Sequence, residues 1–127
     1  MVNIAILGFG TVGSGVAEVL AKNAGHIDQK VETPVRLKYI LDVRDFPESP
    51  FGDKIVHDFS IIENDPTVDI VVETIGGATV ALDFTRRALT AGKSVVSSNK
   101  ELVAEHGHDL LQLAAEKGVS YLFEASV

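Results

Sequence analysis

The chain contains no cysteine, and that one absence removes disulfides, thiolate metal sites and a thiol nucleophile together. Positive charge is scarce as well: Lys and Arg number 11 against 18 Asp and Glu, a net charge of −7. Such a surface repels phosphate backbones and anionic lipid, so nucleic-acid and membrane partners are disfavoured. Any anionic ligand has to be held by local donors working against that field. No apolar run approaches the ~18 residues of a membrane span, and no charged leader precedes a short apolar stretch as it would in a signal peptide. An apolar strand begins at Val2, so the expected compartment is the cytoplasm and no fused kinase domain is expected upstream.

What remains is ordinary for a folded domain. Apolar residues make up 46% and charged residues 23%, which excludes wholesale disorder. A length of 127 residues is one domain's worth of chain, enough to bury a core. Short apolar runs alternate with amphipathic stretches, the pattern of βα units on a parallel sheet. Val2 to Leu7 reads as a strand stopped by Gly8. A helix follows from Thr11 to about Ala24, with Val12, Val16, Val19 and Leu20 inward and Gly25 as its end. Asn23 to Pro34 reads as an insertion.

A second strand is predicted over Arg36 to Val43. After it comes a loop to Asp58, broken by Pro47, Pro50 and Gly52, with at most a short strand near Ile55–His57. Ser60 and Glu63 fit a capping box on a short helix that Pro66 terminates. Asp69 to Glu73 reads as a strand buried on both faces. Gly76 and Gly77 then lead into a helix to Ala91 with Val80, Phe84 and Ala88 inward and Gly92 at its C-terminal cap. Lys93 to Ser97 is the next strand. Ser98 and Glu101 form a second capping box, opening a helix with Val103, Leu110, Leu111 and Ala114 inward. Gly118 closes that helix, and Val119 to Phe123 is the last strand. The expected fold is α/β, a doubly wound parallel sheet with right-handed crossovers.

One motif carries chemistry in this context. Gly8-Phe9-Gly10-Thr11-Val12-Gly13 matches G-x-G-x-x-G between an apolar strand and a helix. Gly8 takes the chain through the tight turn, Gly10 leaves room for a pyrophosphate, and Gly13 lets the helix pack closely on the strand. The amides of the first helical turn then supply the local donors that an acidic protein needs. The expected ligand is NAD or NADP, on a Rossmann-type domain spanning residues 1–127.

Asp42 and Arg44 both stand at the end of the second strand. A carboxylate there accepts from a ribose 2′-OH and favours NAD, whereas an arginine pairs with a 2′-phosphate and favours NADP. The reading leans to NADP through Arg44, with a solvated loop charge as the alternative.

Two further turns sit at strand ends on the same edge. Thr74 and Gly76 follow the strand that ends at Glu73. The glycine pair Gly76-Gly77 either lets backbone approach the nicotinamide ribose or simply starts the next helix. Glu73 reads as a strand-end carboxylate with no catalytic task. Ser98 is explained as a helix cap and grouped with the candidate cofactor contacts. Lys100 is not explained that way, because a cation in the first turn of a helix opposes the macrodipole. It is the candidate catalytic residue, either orienting a carbonyl oxygen or holding the cofactor ribose.

The segments GFGTVGSGV, VVETIGG, AGKSVVSSNKEL and YLFEASV together resemble homoserine dehydrogenase, and the resemblance covers the whole chain. It implies interconversion of aspartate semialdehyde and homoserine with NAD(P), on the route to threonine and methionine. It implies that Phe9, Thr11 and Val12 line the cofactor phosphates and that Lys100 touches both cofactor and substrate. It further implies a full-length homodimer, and a sodium ion held partly by Glu124 and Val127 through an oxygen shell.

Ser97-Ser98 departs from a more usual Thr-Ala or Thr-Pro. The chain also stops at Val127, before the segment leading into that family's substrate domain, so the expectation is cofactor binding with negligible turnover. Two competing readings remain. One is a stand-alone module that senses a nicotinamide or other adenine nucleotide; the other is a dehydrogenase for a different semialdehyde or amino acid.

Overall fold

A computed structural model describes residues 2–30 and 35–123. Six strands form one parallel sheet: β1 (Val2–Leu7), β2 (Val35–Leu41), β3 (Ile55–Val56), β4 (Val68–Glu73), β5 (Ser94–Ser97) and β6 (Tyr121–Phe123). The helices are α1 (Thr11–Lys30), α2 (Phe59–Glu63), α3 (Thr79–Thr90) and α4 (Lys100–Lys117). The strand order is β3-β2-β1-β4-β5-β6, which matches the expected doubly wound α/β fold. After β1 the chain builds outward on one side through β2 and β3, then returns to place β4 on the other side. The crevice where that order reverses, beyond the carboxyl ends of β1 and β4, is where such sheets bind ligands.

Successive strand residues face opposite layers, and the two cores follow that alternation. Ile6, Leu37 and Ile40 pack with Ala17 of α1 and with Phe51. Ala5, Leu7, Val71 and Val95 pack with Ala81, Ala88 and Leu89 of α3 and with Leu102, Leu110 and Ala114 of α4. Each large aliphatic side chain buried this way contributes roughly 1.5–3 kcal/mol. Val96 and Leu122 lie in register with Val72 on the α1 side of the sheet. Both remain exposed, since among the described residues no helix covers that part of it.

Several local expectations change. α1 runs through Gly25 to Lys30, because a glycine inside a helix costs only about 1 kcal/mol and does not by itself end it. Its inward face is Gly13 and Ala17, flanked by Val16 and Leu20, while Val12 and Val19 are exposed. Close approach to β1 selects small residues over the bulkier ones that the periodicity picked out.

α2 is capped by Asp58, whose carboxylate accepts from the Ser60 amide at 2.9 Å, and not by Ser60. α4 is capped by Asn99, not Ser98: Asn99 Oδ1 accepts from the Leu102 amide at 3.0 Å. Val80 and Leu111, expected inside, are exposed, and Asp69 is exposed within β4. Gly92 and Gly118 take the left-handed conformation at φ 85° and 70° and end their helices as expected. Among the described residues no helix is long and apolar enough to cross a membrane.

Candidate functional site

The glycine turn sits at the carboxyl end of β1, at the mouth of the crevice. Gly8 adopts φ +93°, a conformation that L side chains rarely take. Its amide donates to the Leu41 carbonyl at 2.7 Å, and the Thr74 amide and hydroxyl donate to the Leu7 carbonyl at 3.0 and 2.7 Å. The ends of β1, β2 and β4 are thereby tied together. A Cβ on Gly13 would lie 1.9 Å from the Gly8 carbonyl oxygen, whereas one on Gly10 would meet nothing within 4 Å. The two glycines therefore answer different demands, helix–strand contact at Gly13 and open space over the turn at Gly10. The amides of Thr11, Val12 and Gly13 belong to the first turn of α1, where a helix has no internal acceptors for them. The macrodipole reinforces their pull on an anion.

A cleft of about 690 Å³ opens over this turn, lined among others by Gly8, Phe9, Gly10, Asp42, Arg44, His57, Thr74 and Gly76. An open position at Gly10, a tight one at Gly13 and a cleft continuing to the second glycine pair fit a dinucleotide stretched along the strand ends.

Asp42 lines the cleft just past the end of β2. Its carboxylate accepts from the Phe9 amide at 2.9 Å, from the Arg44 amide at 2.9 Å, and from Arg44 Nε and Nη2 at 3.0 and 3.1 Å. The Arg44 guanidinium, helped by the Arg44 and Phe9 amides, pulls the Asp42 carboxyl down to about 2. Arg44 is itself largely exposed and lies over the Phe46 ring, 5.0 Å from its centroid, while Phe9 packs edge-on against Phe46.

His57 shares this end of the cleft. Nδ1 lies 2.7 Å from the Asp42 carbonyl and Nε2 lies 2.8 Å from an Asp45 carboxylate oxygen. Both partners only accept, so a ring that satisfies both must be the imidazolium. The Asp42 carbonyl and then the Asp45 carboxylate raise its pKa above the ordinary 6.5. Nothing in the local sequence pattern marks His57 as a functional residue. Its place one residue past β3, beside the end of β2, was the available signal.

At the other end of the cleft, the Gly76-Gly77 turn is exposed and Gly77 takes φ +78°. Glu73 ends β4 as expected. It is fully buried and accepts from Ser97 Oγ and the Ile75 amide, each at 2.7 Å. Burial raises its pKa, opposed by those donors. Asn99 Nδ2 donates to the Ile75 and Gly77 carbonyls at 2.7 and 2.6 Å. Capping α4 and bracing the glycine turn is thus the work of a single side chain.

Gly8, Phe9, Gly10, Arg44, Thr74 and Gly76 line one cleft. Thr11, Val12 and Gly13 adjoin it as the start of α1. Ser98 and Lys100 are not part of its lining. Ser98 is exposed, and its amide and hydroxyl donate to the Glu73 carbonyl at 3.2 and 3.4 Å. Lys100 is the exposed first residue of α4, with no ion pair among the described residues. Glu124 and Val127 lie outside the described residues. Among those described, no cluster of three or more His, Asp or Glu is arranged to hold a metal ion.

Residues 8–124 match the family model described as homoserine dehydrogenase, NAD binding domain. A homoserine dehydrogenase of Pseudomonas aeruginosa is 39% identical over 127 residues, covering 99% of this chain and 29% of that protein. One from Corynebacterium glutamicum is 38% identical, with 99% and 29% covered. A crystal structure of the Staphylococcus aureus homoserine dehydrogenase at pH 7.5 superposes with a TM-score of 0.90 at 39% identity, covering 99% of this chain and 32% of that one. The Thiobacillus denitrificans structure gives a TM-score of 0.88 at 34% identity, with 99% and 30% covered. The chain therefore spans about 30% of the length of these relatives. A stand-alone nucleotide sensor finds no support among them.

Proposed function

The chain belongs to the homoserine dehydrogenase family as its NAD-binding domain, and from that premise we propose that it holds NAD(P) along the strand ends for oxidoreduction between homoserine and aspartate 4-semialdehyde in the full-length enzyme. The observation that carries this is the glycine turn, with Gly13 jammed against the Gly8 carbonyl and Gly10 open above it. The diphosphate is held by the amides at the start of α1, with Phe9, Thr11 and Val12 around it. The nicotinamide end lies toward Thr74 and Gly76, near the start of α4 at Ser98 and Lys100. A nicotinamide held there would supply hydride chemistry toward the substrate carbon.

The chain's own part is to fix that ring and to exclude water beneath it. Hydride exchange needs the reacting carbons about 3–3.5 Å apart, so the substrate must be held against that ring. Lys100, exposed at the start of α4 and without an ion pair among the described residues, is the residue we assign to the substrate oxygen and the cofactor ribose. In this role it stabilises charge on the oxygen as the carbonyl is reduced.

NADP is the proposed preference. Asp42 is already saturated by Phe9 and Arg44, which weakens it as an acceptor for a ribose 2′-OH. Arg44 and His57 bring donors to the same place, each paired with a carboxylate, Asp42 and Asp45, with which a 2′-phosphate would compete. A sodium ion held partly by Glu124 and Val127, a homodimeric assembly and a cytoplasmic location are proposed for the full-length protein on family resemblance.

Fluorescence titration of the chain with NADPH and NADH tests the cofactor reading, and absence of binding by both overturns it. Residues 1–127 alone are expected to oxidise homoserine negligibly. In the full-length enzyme Lys100→Ala is expected to lower kcat by about 10²–10³-fold, and an unchanged kcat would remove Lys100 from the chemistry.

A further inference from the structure

Glu73 is a fully buried carboxylate with no cationic partner among the described residues. Such a group is costly to keep unless every lone pair is used. Its neighbours are all donors: the Ser97 hydroxyl at 2.7 Å, the Ile75 amide at 2.7 Å and, at a longer 3.5 Å, the Asn99 amide group. Ser97 Oγ in turn accepts from the Asn99 amide at 3.1 Å. In a glutamine one carboxylate oxygen becomes an NH₂, which opposes the Ile75 amide in one orientation and in the other forces the Ser97 hydroxyl to give up its donation and accept instead.

The network joins two turns far apart in sequence. On one side are residues 75–77, whose carbonyls receive Asn99 Nδ2. On the other is the start of α4, whose cap is the same Asn99. Lys100 follows directly, and Glu101 Oε2 lies 3.9 Å from where a Cβ on Gly77 would stand.

We propose that Glu73 is a positioning residue: it locks the Ile75–Gly77 turn and the Asn99–Lys100 start of α4 at one spacing, and thereby sets the grip on the nicotinamide half of a dinucleotide. This rests on the cofactor reading above. The adenosine half is held elsewhere, by the Gly8–Gly13 turn and the end of β2, and does not depend on Glu73. The burial that raises the Glu73 pKa makes the node sensitive to the loss of any donor.

Glu73→Gln and Asn99→Ser test the idea in this chain. Serine still caps a helix but lacks the NH₂ that braces residues 75–77. Both variants are expected to lose about tenfold in NADH affinity while ADP, measured by displacement, changes less than about twofold. Equal losses for NADH and ADP, or none for either, overturn the proposal, since a merely structural role lowers both together.

Amide hydrogen exchange without ligand reads the coupling directly: Ile75 and Leu102 exchange should accelerate together in Glu73→Gln. If only Ile75 responds, Glu73 does not join the two turns and the proposal falls. A native chain that binds neither NADH nor ADP overturns the cofactor reading alone, and the exchange result then still decides whether Glu73 couples the turns.

Discussion

Gly10 and Gly13 belong to one motif, yet substituting each with alanine should damage different properties. In Gly13→Ala the new methyl group would stand 1.9 Å from the Gly8 carbonyl oxygen, 2.9 Å from its carbon and 3.0 Å from Thr74 Oγ1. The nearest two are backbone atoms of a turn already held by the Leu41 carbonyl, so nothing flexible can yield and α1 must lift from β1. Overpacking of this kind costs up to about 3 kcal/mol, and alanine's helix propensity returns about 1 kcal/mol. The net destabilisation is about 2 kcal/mol, which lowers Tm by roughly 8 °C for a domain of this size.

Gly10→Ala meets nothing within 4 Å, so its stability should stay within about 0.5 kcal/mol of the native chain. Its methyl group instead occupies the space left for the diphosphate, and NADH affinity should fall by about tenfold or more. Thermal unfolding followed by circular dichroism, paired with NADH titration, separates the two. The reasoning fails if Gly13→Ala melts with the native protein, or if Gly10→Ala binds NADH normally.

Arg44→Ala should weaken NADPH by about tenfold and NADH much less, with the Asp42 carboxyl rising from about 2 toward its ordinary 3.8; equal losses for both cofactors would refute a 2′-phosphate role. His57 has a folded-state pKa above 6.5, so its stabilising contribution is complete below 6.5 and disappears as pH rises through the raised value. The Tm gap between native protein and His57→Gln should accordingly shrink with rising pH, and a gap that widens contradicts the imidazolium assignment. Thr85 is fully buried and its hydroxyl has no partner among the described residues, so Thr85→Val should stabilise by about 1 kcal/mol. A drop in Tm would reveal a hidden acceptor.

Most of the architecture could be read before any coordinates. Apolar runs bounded by Gly8, Gly92 and Gly118 marked the strands and helices, because alternation and helical periodicity are local properties of the chain. The phosphate turn was legible for the same reason, since its strand, glycines and helix are contiguous. Where local rules competed, they misled. Ser98 and Ser60 both satisfied the capping-box spacing, yet Asn99 and Asp58 hold the caps. Val12 fitted the apolar stripe of α1, but only Gly13 and Ala17 are small enough to approach β1.

What local pattern determined, then, was the order of elements and the phosphate turn. Tertiary structure alone decided which distant groups meet: Asp42 with the Phe9 amide, His57 with the Asp42 carbonyl, and Glu73 with Ser97 across β4 and β5. Those pairings depend on strand order and register, and a parallel sheet brings together residues 15 to 33 positions apart in sequence that no periodicity along the chain connects.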